Sequence, residues 1–313
     1  MGAYLNYESR IHIAKKTSQN GALECLGYAD INSAMMKKIV DNSKLKYIQI
    51  SGHLPGRAYR IIDKILSLRP DITFRLFWFT GEDKIDLSFL LKMPNVHRLQ
   101  IDCIHLRDRQ DKINLDILTK LKLKSLSLEC FDLRDYSFMA NLSEELEGLS
   151  VMADTMGPGV NFDCAWLKRY SNLKTVFLGK KAKKNLECLA EIPSIITLVL
   201  RGIKITDFSF LKQMNLDKLA LWWNSNNDLH ELSELTNLKE IDLWRINKLS
   251  DISFIKDLKN LEVIKLQDLK HVTSLPDLSA HTKLKKLILD DTGIDINGLP
   301  DYLKEKASNG DNR

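Results

Sequence analysis

The sequence predicts an α/β solenoid: an arc of stacked coils with a parallel β-sheet on its concave face and short helices or 3-10 turns on its convex face. Three observations predict it. First, the stretch from Leu216 to Leu289 reads LDKLALWW, LKEIDLWR, LEVIKLQD and LKKLILDD, and its copies start 22, 23 and 23 residues apart. A short apolar motif at a fixed period of this size marks repeated coils that bury their apolar sides against one another. Second, the centre of each copy alternates apolar and polar residues with period two, as a half-buried strand does. Strands that run the same way need a crossover back, and the second half of each repeat is long enough to supply one. Third, that second half has its own phrase, D-x-S-F, at Asp86, Asp135, Asp207 and Asp251. An aspartate there caps the first exposed N–H groups of a short helix, and the phenylalanine is expected to pack behind the sheet.

Taken in order, residues 1–22 are expected to form an N-terminal cap. Ile11 and Ile13 alternate with polar neighbours in SRIHIAKK, and TSQNG follows as a turn. An open-ended array needs such a cover. Residues 23–296 form the array, with about 12 repeats. The early triplets are Leu23/Leu26/Tyr28, Leu45/Ile48/Ile50, Thr73/Leu76/Trp78, Val96/Leu99/Ile101, Leu123/Leu126/Leu128 and Leu146/Leu149/Val151. Leu173/Val176/Leu178 and Ile195/Leu198/Leu200 lead into the four clear copies. The longer intervals fall near SGHLPGR, LRDRQDK and DTMGPGV, where insertions are expected to form loops. Residues 297–313 are a C-terminal cap and a polar, frayed tail.

Composition narrows the function. The 313 residues are 44% apolar, and 46 basic against 41 acidic residues leave a net charge of +5. That balance by itself implies no polyanionic partner. No apolar run is long enough for a membrane span or a secretory signal. Five cysteines without a CxxC fit a reducing compartment, so a cytoplasmic location is expected. Cys103 and Cys130 hold one column of neighbouring repeats and are expected to be a reduced pair. Cys164 and Cys188 are expected in the core. The seven scattered histidines show no catalytic spacing, and no phosphate loop, nucleophile elbow or metal motif is present. The chain is therefore expected to have no catalytic residues, metal or cofactor.

With its triplets and D-x-S-F phrase placed, the chain resembles the leucine-rich repeat superfamily over residues 23–296. Its 22-residue spacing is closest to that of bacterial internalin-like repeats. The resemblance implies that the strand-lined face meets a partner. Two departures stand out. There is no export signal, and the Asn that the family places three residues after the last triplet Leu occurs only as Asn224.

If the triplets point inward, the residues between and just after them point outward. That face is expected to bind through Phe77, Phe79, Arg98, Asp102, Glu129, Phe177, Arg201, Trp222, Trp223, Asp242, Trp244, Arg245, Lys265 and Asp290. Trp222 and Trp244 are expected to stand side by side, with Arg201 flanking them. Large rings and arginines are the usual anchors of protein interfaces. The expectation is a non-catalytic scaffold for another folded protein, an inhibitor or immunity protein that occludes a toxin or enzyme. The alternative is nucleic-acid or anionic-surface binding through the Lys180–Lys184 run.

Overall fold

The computed structural model describes residues 9–20, 23–79, 84–102, 113–130, 133–155 and 157–308. The chain divides into two compact units, Met1–Phe162 and Asp163–Arg313. Each is a stack of coils in which one strand per coil joins a parallel sheet.

In the first unit the strands are β1 (Arg10–Ala14), β2 (Ser18–Asn20), β3 (Leu23–Gly27), β4 (Tyr47–Ile50), β5 (Thr73–Phe77), β6 (Arg98–Asp102), β7 (Ser125–Leu128) and β8 (Gly148–Ala153). From β4 to β8 they pair in sequence order, all parallel. The start of the chain departs from that order. β1 lies between β3 and β4, parallel to both, and β2 closes the edge antiparallel to β3. Ile11 sits opposite Ile48 and Ile13 opposite Leu26, and all four are buried. The expected cap strand is thus an inserted member of the sheet.

The crossovers of this unit begin as true α-helices, α1 (Ser33–Asp41) and α2 (Gly56–Leu68). Asn32 caps α1 by accepting from the Met35 N–H at 2.9 Å. The 13-residue α2 accounts for the long interval between β4 and β5: SGHLPGR is the approach to a helix, not a loop insertion. Later crossovers are short 3-10 turns. LRDRQDK lies outside the described residues.

In the second unit the strands are β9 (Thr175–Lys180), β10 (Thr197–Arg201), β11 (Lys218–Trp222), β12 (Glu240–Trp244), β13 (Val263–Leu269), β14 (Lys286–Thr292) and β15 (Ala307–Ser308), paired parallel in sequence order. A short helix α3 (Ser209–Lys212) supports one crossover, and α4 (Asp301–Lys304) buries Leu303 just before β15. Residues 301–308 of the expected tail thus contribute α4 and β15.

The cores are the inward triplets. From Leu198/Leu200 through Leu219/Leu221, Ile241/Leu243, Ile264/Leu266 and Leu287/Leu289, every residue is at most 3% exposed. Burying each of these side chains contributes about 1.5–3 kcal/mol. In the first unit one triplet is displaced from its sequence assignment. Phe74 and Leu76 of β5 face Ile48/Ile50 and Leu99/Ile101, so Thr73 and Trp78 are not its inward members. DITFRLFWF is apolar on both faces, and periodicity alone cannot fix the register of such a run.

The aspartates of the recurring phrase cap as expected. Asp86, Asp135, Asp207 and Asp251 each accept from the N–H of the serine two residues on, at 2.7–3.0 Å. Asp163, Asp228, Asp277 and Asp295, outside the full phrase, likewise accept from the N–H two residues on, of Ala165, His230, Ser279 and Asn297. Asn114, Asn161 and Asn185 then donate to Asp86, Asp135 and Asp163 from the neighbouring segment, at 2.7–2.9 Å. Phe138, Phe210 and Phe254 are buried. Phe89 is only half-buried and stacks on Tyr59 at 4.3 Å.

The inserted strand carries a pH-dependent feature. His12 is buried, its Nδ1 3.1 Å from Gln49 Nε2, and Gln49 Oε1 accepts from Arg75 at 3.4 Å. Burial lowers the His12 pKa from 6.5 to about 4. Between those values the unfolded chain binds the extra proton and the folded chain does not. Stability is therefore complete above about pH 6.5 and is lost as pH falls toward 4, by up to about 3 kcal/mol. A protonated Nδ1 would also point a donor at a donor amide. The urea midpoint is expected to drop between pH 7 and 4.5 in the parent, and to drop less in His12→Gln. Equal drops would show that another group is responsible.

Candidate partner-binding face

The outward residues of the second unit fall into columns fixed by the strand register. The third outward column runs Gly179, Arg201, Trp222, Trp244, Gln267, Asp290. Directly after it comes a column with one uniform backbone property. Lys180, Gly202, Trp223, Arg245, Asp268 and Asp291 all have positive φ, from 36° to 66°. Each coil must turn sharply as it leaves the sheet, and this left-handed residue makes the turn. The ladder continues through it: the N–H groups of Gly202, Trp223 and Arg245 donate to the carbonyls of Trp222, Trp244 and Gln267 at 2.7–2.9 Å. Only Gly takes that conformation freely, and other residues there cost about 1–2 kcal/mol each. None of the six is β-branched, the class least tolerant of positive φ.

A left-handed backbone splays its side chain sideways from the strand, and Trp223 stands 37% exposed. The Arg201 guanidinium lies 4.3 Å and that of Arg245 5.0 Å from its ring centre. Each such contact contributes about 0.5–1 kcal/mol at an exposed site. Trp244 meets both Trp222 and Trp223 edge-on, at 5.6 and 5.8 Å. Trp222 also reaches Phe177, two strands away, at 5.8 Å. Val199 and Ala220, in the column between them, are buried although they sit on the outward side. Arg245 is ion-paired to Asp268, which fixes it against the ring.

The expected site residues separate into those that can meet a partner and those that cannot. Phe177, Arg201, Trp222, Trp223, Trp244 and Arg245 come together as one aromatic and guanidinium cluster. Arg201, expected to flank Trp222 and Trp244, lies over Trp223, because the turn brings the Trp223 ring to it. Lys265 is half-buried and, with Lys218, holds Glu240 at 2.7 and 2.9 Å. Burial works to raise the Glu240 pKa, but hydrogen bonds from both lysines outweigh it and hold the carboxylate below its usual range. Asp290 accepts from Gln267 at 3.1 Å. Asp242 is 4% exposed, and burial raises its pKa against the pull of Lys265 and the Trp222 indole. It is therefore removed from the contact surface.

In the first unit Phe79 is 8% exposed and packs edge-on against His53 at 5.5 Å, so it too is interior. Asp102 is buried and ion-paired to Arg75, whose guanidinium lies 4.4 Å from the Phe77 ring centre. Phe77 and Arg98 are half-buried. Glu129 accepts from Gln100 at 3.3 Å. Burial and the Asp102 charge raise its pKa, with Arg75 opposing. Trp78, assigned inward by sequence, is instead 42% exposed with φ 48°.

Sequence reasoning missed Asn226. Asn224 donates to the Ile203 carbonyl at 2.6 Å and accepts from the Asn226 N–H at 2.6 Å. Asn226 in turn donates to the Ile205 carbonyl at 2.7 Å and accepts from the Ile205 N–H at 3.1 Å. This pair anchors the turn that presents Trp222 and Trp223. Its signal was present as N-x-N directly after the tryptophans.

Inward aliphatic triplets, one parallel strand per coil, and short capped crossovers together define the architecture. Each unit is a stack of coils with the leucine-rich repeat type of fold. No family model and no curated protein sequence matches the chain. Among solved structures it is similar to internalin C2 of Listeria monocytogenes, with 20% identity, 62% of this chain and 90% of that chain covered, and TM-score 0.46. Internalin F of the same organism gives 19% identity, 89% and 82% coverage, and TM-score 0.47. TLR13, in a complex with ssRNA13, gives 18% identity, 85% and 35% coverage, and TM-score 0.43.

Cys130 and Cys164 are buried and Cys188 is half-buried. Cys103 lies outside the described residues. No described helix is long and apolar enough to cross a membrane. No group of three or more metal-ligating side chains comes together among the described residues.

Proposed function

We propose that the chain is a non-catalytic scaffold that binds another protein through the sheet face of its second unit. The observation that carries this reading is Trp223: a large ring kept exposed in a left-handed backbone and braced on its faces by Arg201 and Arg245. The contacts of the ring with the two arginines roughly offset the conformational cost of holding it outward, and tryptophan and arginine are enriched among the anchors of protein interfaces. Occlusion of an enzyme or toxin, as an inhibitor or cytoplasmic immunity protein of a bacterium, is the specific role this surface suits. A preformed face of several strands covers an active site without chemistry of its own.

The test is capture from the host lysate with the intact chain as bait, beside a Trp222→Ala/Trp244→Ala bait. The expected result is a stoichiometric protein recovered by the first and lost from the second. If that protein is an enzyme, one equivalent of the chain is expected to suppress it. Recovery of the same proteins by both baits would refute the reading.

A further inference from the structure

The left-handed column of the second unit is graded in charge. It begins at Lys180, passes Gly202, reaches Trp223 between its two arginines, and ends at Asp268 and Asp291. The basic end extends beyond the column. Residues 163–206, which supply β9 and β10, carry nine Lys and Arg against three Asp and Glu, a net of +6. The whole chain nets +5, so the other 269 residues net −1. The excess positive charge of the chain therefore lies within residues 163–206, of which Lys168 and Arg169 belong to the crossover turn and Lys180, Lys181, Lys183, Lys184, Arg201 and Lys204 to the ends of β9 and β10 and the segments that follow them. The balanced composition of the full sequence conceals this.

The glycine in the column has a specific consequence. A β-carbon added at Gly202 would come within 2.8 Å of Lys180 Cγ. The Lys180 stem thus lies along the space a side chain would fill, in the coil next to Trp223. The basic end and the ring form one continuous strip, where the sequence suggested two separate features.

The opposite end is different in sign. Arg245 pairs with Asp268, and Lys270 Nζ lies 3.6 Å from Asp291. Asp290 is held by Gln267 at 3.1 Å.

We propose that this strip is the docking line of the second unit, and that its partner is a protein presenting an acidic patch beside an apolar side chain. The acidic patch lies over the β9–β10 coils and the apolar group packs on Trp223. The proposal rests on the protein-binding reading above. Charge complementarity favours a protein over nucleic acid. Parallel strands lie about 4.8 Å apart, so a phosphate chain following the column from Lys180 would meet Asp268 four strands on and Asp290 and Asp291 five strands on, roughly 19–24 Å away. Lys168 and Lys184 are engaged by Glu191 and Asp163, at 2.6 and 2.9 Å. A compact acidic patch spans only the basic end and avoids the carboxylates.

The experiment uses the full chain and three labelled probes read by anisotropy: a glutamate-rich 12-residue peptide with two central leucines, the same peptide with glutamines for the leucines, and a 12-nucleotide oligothymidine. The leucine peptide is expected to bind at least fivefold tighter than the glutamine peptide. Trp223→Gly should erase that difference, while Lys180→Glu/Lys183→Glu should weaken both peptides at least tenfold. Affinity should fall with added salt. Oligothymidine binding tighter than either peptide and unchanged by Trp223→Gly would overturn the proposal in favour of nucleic acid. Equal binding of the two peptides, or none, would overturn the strip. Neither of those peptide results touches the capture experiment, whose double variant alters Trp222 and Trp244, so the broader reading would stand or fall separately.

Discussion

Trp223→Gly is expected to reduce affinity for the protein partner by 30-fold or more, about 2 kcal/mol, the size of an interface anchor. Stability is expected to change by no more than about 1 kcal/mol, because two effects oppose. The ring's contacts with Arg201, Arg245 and Trp244 are lost. Glycine adopts the φ of 55° without the steric penalty that tryptophan carries there. This substitution separates binding from folding better than Trp223→Ala, which keeps the backbone penalty while removing the ring. Titration calorimetry of the partner complex, set beside thermal unfolding of the free chain, reads both quantities. Unchanged affinity would remove Trp223 from the interface, whatever happened to stability.

Asn224→Ala has the largest expected effect on folding, a loss of about 2–4 kcal/mol. The side chain is buried and serves two backbone groups at once, the Ile203 carbonyl and the Asn226 N–H. Removing it leaves both without partners in a site closed to water, at about 1–3 kcal/mol each. Asn226→Ala is expected to cost a similar amount, since the carbonyl and N–H of Ile205 lose their partners. The double variant is expected to lose less than the sum of the two, because the asparagines hold one turn and loosening it in either single variant already weakens the contacts of the other. Chemical denaturation of the three variants measures this. Additive losses would mean that the two asparagines act independently. Because the turn also sets the direction of Trp222 and Trp223, partner affinity should fall in these variants even under conditions where they remain folded.

The repeat architecture was legible because its signal is redundant. Leu219/Leu221, Ile241/Leu243 and Leu287/Leu289 spell the same inward pair, and each copy checks the others. Where spelling was degenerate, register slipped: in DITFRLFWF the apolar residues on both faces hid Phe74 as the inward member and sent Trp78 to the wrong side. The inserted β1 was illegible for a different reason. A period-two pattern shows that Ile11 and Ile13 face a core, but not which strands they lie between. The site was half legible. Arg201, Trp222, Trp244 and Phe177 could be aligned by counting, since parallel register converts sequence spacing into neighbours. The left-handed column could not, because Trp, Arg and Lys give no sign of positive φ, and only Gly202, Asp268 and Asp291 belong to the types that favour it. That conformation moves Arg201 onto Trp223. The burial of Phe79, Asp102 and Asp242 depends on side chains from other coils leaning across them, which column counting does not see.

The central claim is that the partner lies along the strip centred on Trp223, and hydrogen–deuterium exchange of the chain with and without its captured partner tests it most directly. Protection is expected in peptides spanning 177–184, 201–204, 222–226 and 244–246, with the crossovers at 230–234 and 253–257 unchanged. Protection of those crossovers, with the strip exchanging as in the free chain, would contradict the account.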